Sequence, residues 1–226
     1  MIRQFRSSAR FVCITLASLF CLISSPAQAI PIGGVEFPQG LISFADAVDD
    51  FSPAVPGPTD PHLGAFNALG APNFAGTECT SQADCTYVTL GDGGSITLRF
   101  INNRLTGSGN ANLDLWIFEI GPDVEDTFVE ISKDGVTWSA VGKVSGATAG
   151  VNIDAFGFGV ADQFAYVRLR DDPDADAQGS GGTVGADIDA VGAISTVRVT
   201  DVPLPATGLL MLAGLLPLAG LRRRRA

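Results

Sequence analysis

Two carboxylates stand two positions apart near the end of the chain, in the segment Asp187, Ile188, Asp189. On a β-strand, residues at this spacing project from the same face, so the two side chains would lie side by side. Calcium is a hard cation that takes about six to eight oxygen ligands, and carboxylates are among its preferred donors. The sequence therefore predicts a calcium site that includes Asp187 and Asp189. An equally open alternative is that Asp189 accepts backbone N–H groups at a strand end.

A second acidic run, from Asp171 to Asp176, begins with the alternating aspartates of an EF-hand loop. An EF-hand needs a glycine at its sixth position and a glutamate at its twelfth, where this chain has Ala177 and Thr183. An EF-hand is therefore excluded. The segment is predicted to be a solvated acidic loop, with a second calcium site as the sharper alternative.

Cys79 and Cys85 lie in a polar segment, whereas the other two of the four cysteines fall within residues 1–29, whose arginines, apolar stretch and A-x-A site predict a removable signal peptide. An exported protein reaches an oxidising compartment, so the sequence predicts a disulfide that closes this small loop. His62 is the only histidine. A zinc or redox site would need further cysteine or histidine ligands.

Motifs for nucleophilic or zinc-dependent catalysis are absent from the sequence, which has neither G-x-S-x-G nor H-E-x-x-H. A glycosidase needs two carboxylates about 5 to 10 Å apart. Glu119 with Glu130 or Asp189 could take those roles, but nothing distinguishes them from the other acids. We expect a protein without enzymatic activity.

The formal charge of −10 understates the acidity of the exported part. All 24 acidic residues lie between residues 30 and 201, together with 7 of the 14 basic residues, so that segment carries 7 positive against 24 negative charges, or −17. A field of this sign repels nucleic acid and anionic lipid headgroups. Nucleic-acid binding is therefore not expected.

Short segments rich in β-branched and aromatic residues alternate with turn residues along the exported part. Segments 86–90 and 95–100, joined by four turn residues, are predicted to form a hairpin, and segments 127–132 and 136–141 a second one. No segment sustains a helical period. We expect strands over four further segments, which are 41–47, 113–119, 164–170 and 187–199. The fold class is all-β, as a single β-sandwich or jelly roll.

The N-terminus has the three parts of a secretory signal peptide. Three arginines within residues 3–10 precede an apolar stretch over residues 11–23, and Ala27-Gln28-Ala29 matches an A-x-A cleavage site. Residues 1–29 are therefore predicted to form a signal helix that signal peptidase removes, leaving an exported domain over residues 30–201.

The C-terminus is predicted to be a transmembrane helix. No acid or base interrupts residues 202–221, which matches the roughly 20 residues needed to cross a bilayer. Four arginines follow at residues 222–225. Because arginine collects on the cytoplasmic side, the domain before the helix would lie outside.

The start of that segment is Val202, Pro203, Leu204, Pro205 and Ala206, followed by a Gly/Leu/Ala-rich stretch and the arginine cluster. This order resembles the VPLPA variant of the PEP-CTERM sorting signals of Gram-negative bacteria. The resemblance implies a sorting signal over residues 202–226, with a temporary membrane anchor that an exosortase-type protease removes. It also implies delivery to the cell surface or the extracellular matrix.

Several phrases of the exported domain, including Asp114-Leu115-Trp116-Ile117-Phe118-Glu119 and Asp187-Ile188-Asp189-Ala190-Val191-Gly192, resemble a domain of PEP-CTERM surface proteins. That domain is similar to galactose-binding-like (discoidin-like) jelly rolls. In related carbohydrate-binding jelly rolls, an aspartate at the position of Asp189 shares a structural calcium with an acid of the first strand, and Asp46 is the corresponding acid here. Asn73 stands where such domains usually have an aspartate.

The two tryptophans do not mark a sugar platform. Trp138 follows an Asp-Gly turn in an alternating strand, a position that favours the core, and Trp116 lies between two apolar residues, so its face is undefined. We expect an exported, calcium-stabilised surface or matrix protein, with binding of extracellular polysaccharide as the sharper function. A structural or adhesive protein without a sugar site is the main alternative, and an extracellular hydrolase is the third.

Overall fold

The computed structural model describes residues 29–55, 57–121, 125–174 and 181–199. Within these ranges the chain forms β-strands, short 3₁₀ helices and no α-helix, which confirms the all-β prediction. No helix among these residues has the length and apolarity to cross a membrane. The predicted signal peptide, apart from Ala29, lies outside the described residues, as does the predicted sorting signal at residues 202–226.

The strands are short and are numbered in chain order. They are β1 (Ile30–Ile32), β2 (Val35–Phe37), β3 (Ala47–Ser52), β4 (Val88–Thr89), β5 (Ser95–Arg99), β6 (Asn103–Leu105), β7 (Leu115–Glu119), β8 (Thr127–Ser132), β9 (Trp138–Val144), β10 (Thr148–Val151), β11 (Tyr166–Asp171), β12 (Asp187–Ala193) and β13 (Thr196–Arg198). The 3₁₀ helices are Gly40–Ser43, Ala65–Ala68 and Ile153–Phe156.

Most strands belong to two antiparallel sheets. The larger has the order β3-β5-β11-β8-β9 and the smaller the order β10-β7-β12-β4. Two ribbons pair β1 with β2 and β6 with β13. Antiparallel sheets commonly pack one face on the core and leave the other in water.

A single hydrophobic cluster lies between the two sheets. The larger sheet contributes Ile96, Leu98, Val129, Ile131, Val167 and Leu169, and the smaller contributes Val88, Leu115, Ile117, Ile188 and Val191. Each of these side chains is nearly or fully buried, and full burial of one such side chain stabilises the fold by about 1.5–3 kcal/mol. Two sheets that share one core are consistent with a β-sandwich.

The first predicted hairpin, over segments 86–90 and 95–100, is wrong, because its two strands lie in different sheets. β4 ends in the four-stranded sheet and β5 begins in the five-stranded sheet. Between them Gly91 and Gly93 have φ values of 81° and 80°, and a Cβ at Gly94 would collide with the carbonyl oxygen of Leu90. The glycine-rich segment therefore turns the chain from one sheet to the other.

The second predicted hairpin is confirmed, since β8 pairs antiparallel with β9. The Asp134 carboxylate accepts the N–H groups of Val136 and Thr137 at 2.9 and 2.8 Å, and Gly135 has a φ of 75°.

The strand predicted over residues 41–47 is wrong. Those residues form the 3₁₀ helix and its exit, and the strand β3 begins only at Ala47.

Candidate functional site

The face of the five-stranded sheet that points away from the core is lined by polar and aromatic side chains. Side chains alternate between the two faces of a strand, and in β11 the buried Val167 and Leu169 alternate with Tyr166, Arg168 and Arg170. These three side chains therefore project outward. We call this surface the outer face.

Strand register arranges the outer face in three rows that run across the sheet. The first row is Ser52, Ser95, Arg170, Phe128 and Lys143, the second is Asp50, Thr97, Arg168, Glu130 and Ala140, and the third is Ala47, Arg99, Tyr166, Ser132 and Trp138. Each row contains at least one basic side chain, and the first and third contain aromatic rings. The rows therefore interleave cations and rings over one continuous surface.

Cations stack on the rings of the outer face. The guanidinium carbon of Arg168 lies 4.2 Å from the ring centroid of Trp138, and that of Arg170 lies 4.7 Å from the ring centroid of Phe128. Both distances are within the roughly 6 Å range of cation–π attraction. Stacking restricts the rotation of the rings and the guanidinium groups, so the surface is partly preorganised for binding.

A groove of about 420 Å³ crosses the first two rows. Its lining includes Ser95, Phe128, Glu130, Ala140, Arg168 and Arg170. Sites for small ligands have volumes of roughly 300–1,000 Å³ and combine apolar surface with a few polar groups. The groove fits this description, since it offers an aromatic ring, two guanidinium donors and one carboxylate acceptor.

The acid of the groove is held in place by an ion pair. Arg168 contacts Oε2 of Glu130 through Nε at 2.8 Å and through Nη2 at 2.7 Å. At the end of the first row, Lys143 contacts the carboxylates of Asp126 and Asp172. No carboxylate of the described residues lies within ion-pair distance of Arg170. The outer face therefore retains cationic groups that are available to a ligand.

The expectation that Trp138 lies in the core is wrong, because its ring lies half-buried on the outer face. The turn before it sets the register so that Trp138 faces Ser132 and not the core. Trp116 is half-buried against a separate cluster that includes Phe37, Phe44 and Phe118. The sequence signal for the outer face was the alternation of Tyr166, Arg168 and Arg170, which sequence reasoning did not use.

In the structure, the predicted calcium ligands Asp46 and Asp189 accept hydrogen bonds from two different backbone segments. Asp46 accepts the N–H groups of Ile101 and Asn102 at 2.7 and 3.2 Å. Asp189 accepts those of Asn73 and Phe74, at 3.1–3.2 Å. The contacts of Asp189 match the alternative in which it receives backbone N–H groups.

The third predicted ligand, Asp187, has a different partner, the hydroxyl of Thr89. Among the described residues, the carboxylate oxygens of Asp46, Asp187 and Asp189 do not all lie within 4.8 Å of one another. The structure therefore does not bring the three residues together as one ligand set. Calcium binding at any of them stays a prediction.

Asp187 belongs to a group of buried acids with Glu119 and Glu125. The backbone N–H of Glu125 donates to Glu119 Oε1 at 3.2 Å, and the three side chains are at most 8% exposed. Burial, and then the hydrogen bond with Glu125, raises the pKa of Glu119 far above its usual range. Burial raises the pKa of Asp187 to about 8, against an opposing effect of the Thr89 hydroxyl. Both acids therefore hold protons near neutral pH.

The prediction that the acidic run is a solvated loop is wrong for its first two residues. Asp171 and Asp172 are buried, and the Asp171 carboxylate accepts the N–H groups of Gly93 and Ala186 at 2.8 and 2.9 Å. Residues 175–180, the rest of the run included, lie outside the described residues. Asp171 therefore holds in place, by a hydrogen bond, the glycine-rich segment that connects β4 in one sheet to β5 in the other.

The predicted disulfide is confirmed, with Cys79 bonded to Cys85 and their Cα atoms 4.7 Å apart. His62 lies beside it, with Nδ1 at 3.3 Å from the sulfur of Cys79, and stacks on Tyr87 with the ring centroids 5.4 Å apart. Burial lowers the pKa of His62. Sequence reasoning missed this contact because a separation of 17 residues in a loop carries no periodic signal.

Reduction of the disulfide should destabilise the protein modestly. A bridge across so short a loop contributes about 2 kcal/mol through the entropy of the unfolded chain, which corresponds to a loss of roughly 4–8 °C in melting temperature. Calorimetry with and without reductant measures this loss, and the Cys79→Ser/Cys85→Ser double variant should match the reduced protein. Detection of two free thiols in the exported protein by mass spectrometry would contradict the prediction.

The acids that a glycosidase could use do not share a cleft. Glu130 projects from the outer face of the larger sheet and pairs with Arg168, whereas Glu119 is buried in the smaller sheet beside Glu125. Asp189 is buried and bound to backbone N–H groups. Glu119 and Glu130 therefore lie on different sheets, and Glu119 and Asp189 are both buried.

No family model and no curated protein matches the chain. Among solved structures, the C-terminal domain of a chitobiase from Bacteroides fragilis matches at 14% identity and a TM-score of 0.30, over 47% of this chain and 64% of that one. A structure described as a glycoside hydrolase matches at 12% identity and a TM-score of 0.29, over 64% of this chain and 31% of that one. TM-scores this low carry no argument about function, so the function of this chain has to be argued from its own residues.

Proposed function

We propose that this chain is an exported, non-enzymatic protein of the cell surface or extracellular matrix that binds glycan chains on its outer face. The observation that carries the proposal is the three-row array of cations and aromatic rings on one side of the larger sheet. A jelly-roll topology of the β-sandwich is part of the proposal.

The chemistry of the outer face suits a sugar. Aromatic rings such as Trp138 offer apolar surface for the C–H faces of a pyranose, and guanidinium groups and carboxylates such as Arg168 and Glu130 can exchange hydrogen bonds with neighbouring hydroxyls. The groove is open along the sheet and lined by residues of four strands, β5, β8, β9 and β11. An open surface of this kind accommodates a segment within a long polymer.

The positions of the acidic side chains support the non-enzymatic part of the proposal. Of the carboxylates considered for hydrolysis, only Glu130 lies on the outer face, and Arg168 binds it. Retaining and inverting glycosidases both need a second carboxylate across the substrate. An extracellular hydrolase is therefore the weaker alternative, behind a structural or adhesive protein without a sugar site.

A glycan array probed with the exported protein separates these functions. Saturable binding to a polysaccharide supports the proposal, whereas absence of binding to every glycan favours a structural or adhesive protein. Release of reducing ends from a bound polymer would admit a hydrolase. The array should be repeated in EDTA, since loss of binding there would support the further proposal that calcium stabilises the domain.

Export and sorting are proposed from the targeting segments. Signal peptidase and an exosortase-type protease would act in turn, with the C-terminal helix as a temporary membrane anchor. Apart from Ala29, both segments lie outside the described part of the chain. The acidic exported domain would then remain soluble outside the cell or bind matrix polymers.

Deletion of residues 202–226 should leave a soluble domain in the periplasm and prevent its sorting, because the apolar segment and its arginines are the features that would hold the chain in the membrane. Cell fractionation and immunoblotting measure the distribution. A variant in which only Arg222 to Arg225 become glutamine serves as a control for the apolar segment alone. Normal arrival of the truncated protein at the surface would show that the sorting signal is misassigned.

A further inference from the structure

A second pocket, of about 320 Å³, adjoins the third row of the outer face. Its side-chain walls are Arg99, Arg104, Lys133 and Tyr166, and Ile101 and Ala165 complete the lining together with Phe100. Three of its lining residues are basic and none is acidic. Arg99 and Tyr166 belong to both this pocket and the outer face, so one ligand can occupy the two together.

The concentration of positive charge on this side of the molecule is unusual for so acidic a chain. Of the 7 basic residues in segment 30–201, only Arg198 belongs neither to the outer face nor to the second pocket. The same segment has 24 acids. The protein therefore gathers six of these seven basic side chains on one side of a domain whose general field repels anions.

The cations of the pocket are not all neutralised by the protein. Arg104 donates from Nη1 to the carbonyl oxygens of Phe100, Ile101 and Asn103, and no described carboxylate lies within ion-pair distance of it. These contacts hold the guanidinium in place while leaving its charge uncompensated.

The other two cations have acidic partners that a ligand can replace. Lys133 pairs with Asp162 at 2.7 Å, and Arg99 reaches Asp49 only at 3.9 Å. Both pairs are exposed to water, and exposed ion pairs are weak. In addition, Nε of Arg99 is buried and has no hydrogen-bond partner among the described residues, so the protein itself does not satisfy this guanidinium fully.

We infer that this pocket binds a carboxylate of an acidic polysaccharide, such as a polyuronate, whose chain lies along the outer face. The inference rests on the proposed glycan binding and adds the substrate class. Guanidinium groups match the planar carboxylate in size and geometry and form charge-assisted hydrogen bonds with it. Tyr166 offers the adjoining ring against which the sugar that carries the carboxylate can pack.

A polysaccharide accounts for the surface better than other polyanions. Nucleic acid would bring a long, dense run of phosphates against a domain of net charge −17 (7 positive and 24 negative charges). An acidic peptide would use the cations but has no flat C–H faces for the rings of Trp138 and Tyr166. Binding of an acidic peptide is therefore the alternative that the experiment must distinguish from glycan binding.

The test compares polygalacturonate with its carboxyl-reduced product, a neutral polymer of the same backbone, by calorimetry on the exported protein. The wild type should bind the acidic polymer about tenfold or more tightly than the neutral one, the equivalent of one or more charge-assisted contacts. Arg104→Gln should remove most of this difference without changing the affinity for the neutral polymer. Lys133→Gln should act in the same direction and should leave the fold unchanged, because the lysine side chain is 57% exposed.

The control variant is Arg198→Gln, because this arginine lines neither pocket and donates to Gln39. It should leave both affinities unchanged. Equal affinities for the two polymers would overturn the inference while leaving glycan binding intact. Polyglutamate that bound as tightly as polygalacturonate would overturn it in favour of charge alone. Absence of binding to either polymer would overturn the inference, and the glycan array would then decide the proposed function on its own.

Discussion

Replacement of Trp138 by alanine should weaken glycan binding by about tenfold or more, which corresponds to about 1.4 kcal/mol or more of binding free energy. The ring lies on the outer face with Arg168 stacked on it at 4.2 Å, so the variant removes both the apolar surface and the group that orients the guanidinium. The melting temperature should change little, since the side chain is not part of the shared core. Calorimetric titration and thermal melts of the same samples measure the two effects.

A matched control for this variant is Phe66→Ala. Phe66 is 75% exposed, lies on the 3₁₀ helix Ala65–Ala68 and belongs to none of the three rows of the outer face. Its loss should leave glycan affinity unchanged. If Trp138→Ala bound glycan as well as the wild type, the outer face would not be the binding surface.

Replacement of Glu119 by glutamine should raise stability at alkaline pH. The pKa of Glu119 is raised in the folded state, so between its unfolded value near pH 4.5 and its folded value the native state binds more protons than the unfolded state. Stability then decreases as pH rises, by up to about 1.4 kcal/mol per pH unit for each such proton. Glutamine carries a permanent donor toward Glu125, so the variant should be more stable than the wild type at pH 8 and should match it near pH 4.5.

Asp187→Asn provides a second variant of the same kind, because burial raises the pKa of Asp187 to about 8. Chemical denaturation from pH 4.5 to 9 measures the effect. A matched control is Asp84→Asn, an exposed carboxylate whose pKa is lowered by hydrogen bonds with Ser81 and Thr80 and which should not become more stable at high pH. A wild-type stability that rose steadily between pH 5 and 8 would contradict the assignment of raised pKa values.

The same series tests the calcium prediction. Calcium requires ionised carboxylates, so an ion bound at Asp187 would raise the wild-type melting temperature most at pH 8, and the asparagine variant would lose that gain. At Asp189 the structure instead favours a structural role, since its carboxylate binds two backbone N–H groups. Loss of those bonds in Asp189→Ala should destabilise the protein equally in calcium and in EDTA.

Local patterns were sufficient to predict several of the strands but only one of the strand pairs. The β8–β9 hairpin could be predicted because its turn residues Asp134 and Gly135 act within a few positions of the chain. The segment between β4 and β5 has similar turn residues, yet it crosses between sheets. What decides this is its contact with Ala54, whose N–H donates to Leu90 at 3.1 Å. That contact spans dozens of residues and leaves no periodic trace.

In the candidate site, too, local features could be predicted from the sequence and long-range contacts could not. The disulfide followed from two cysteines in an exported segment, and the backbone contacts of Asp189 were one of the two alternatives that the sequence allowed. The alternation in β11 indicated one strand of the outer face, but the face as a whole could not be predicted, because cross-strand register brings its residues together. Trp138 and Arg168 lie 30 positions apart in the numbering and meet only through the pairing of β8 with both β9 and β11.

The most direct measurement of glycan binding on the outer face is an NMR titration of the isotope-labelled protein with an oligosaccharide of the polymer it binds. The account predicts saturable shifts of the backbone amides of β8, β9 and β11 and of the indole N–H of Trp138, with β7 and β12 unaffected. Shifts confined to the smaller sheet, or no shifts at millimolar oligosaccharide, would contradict it.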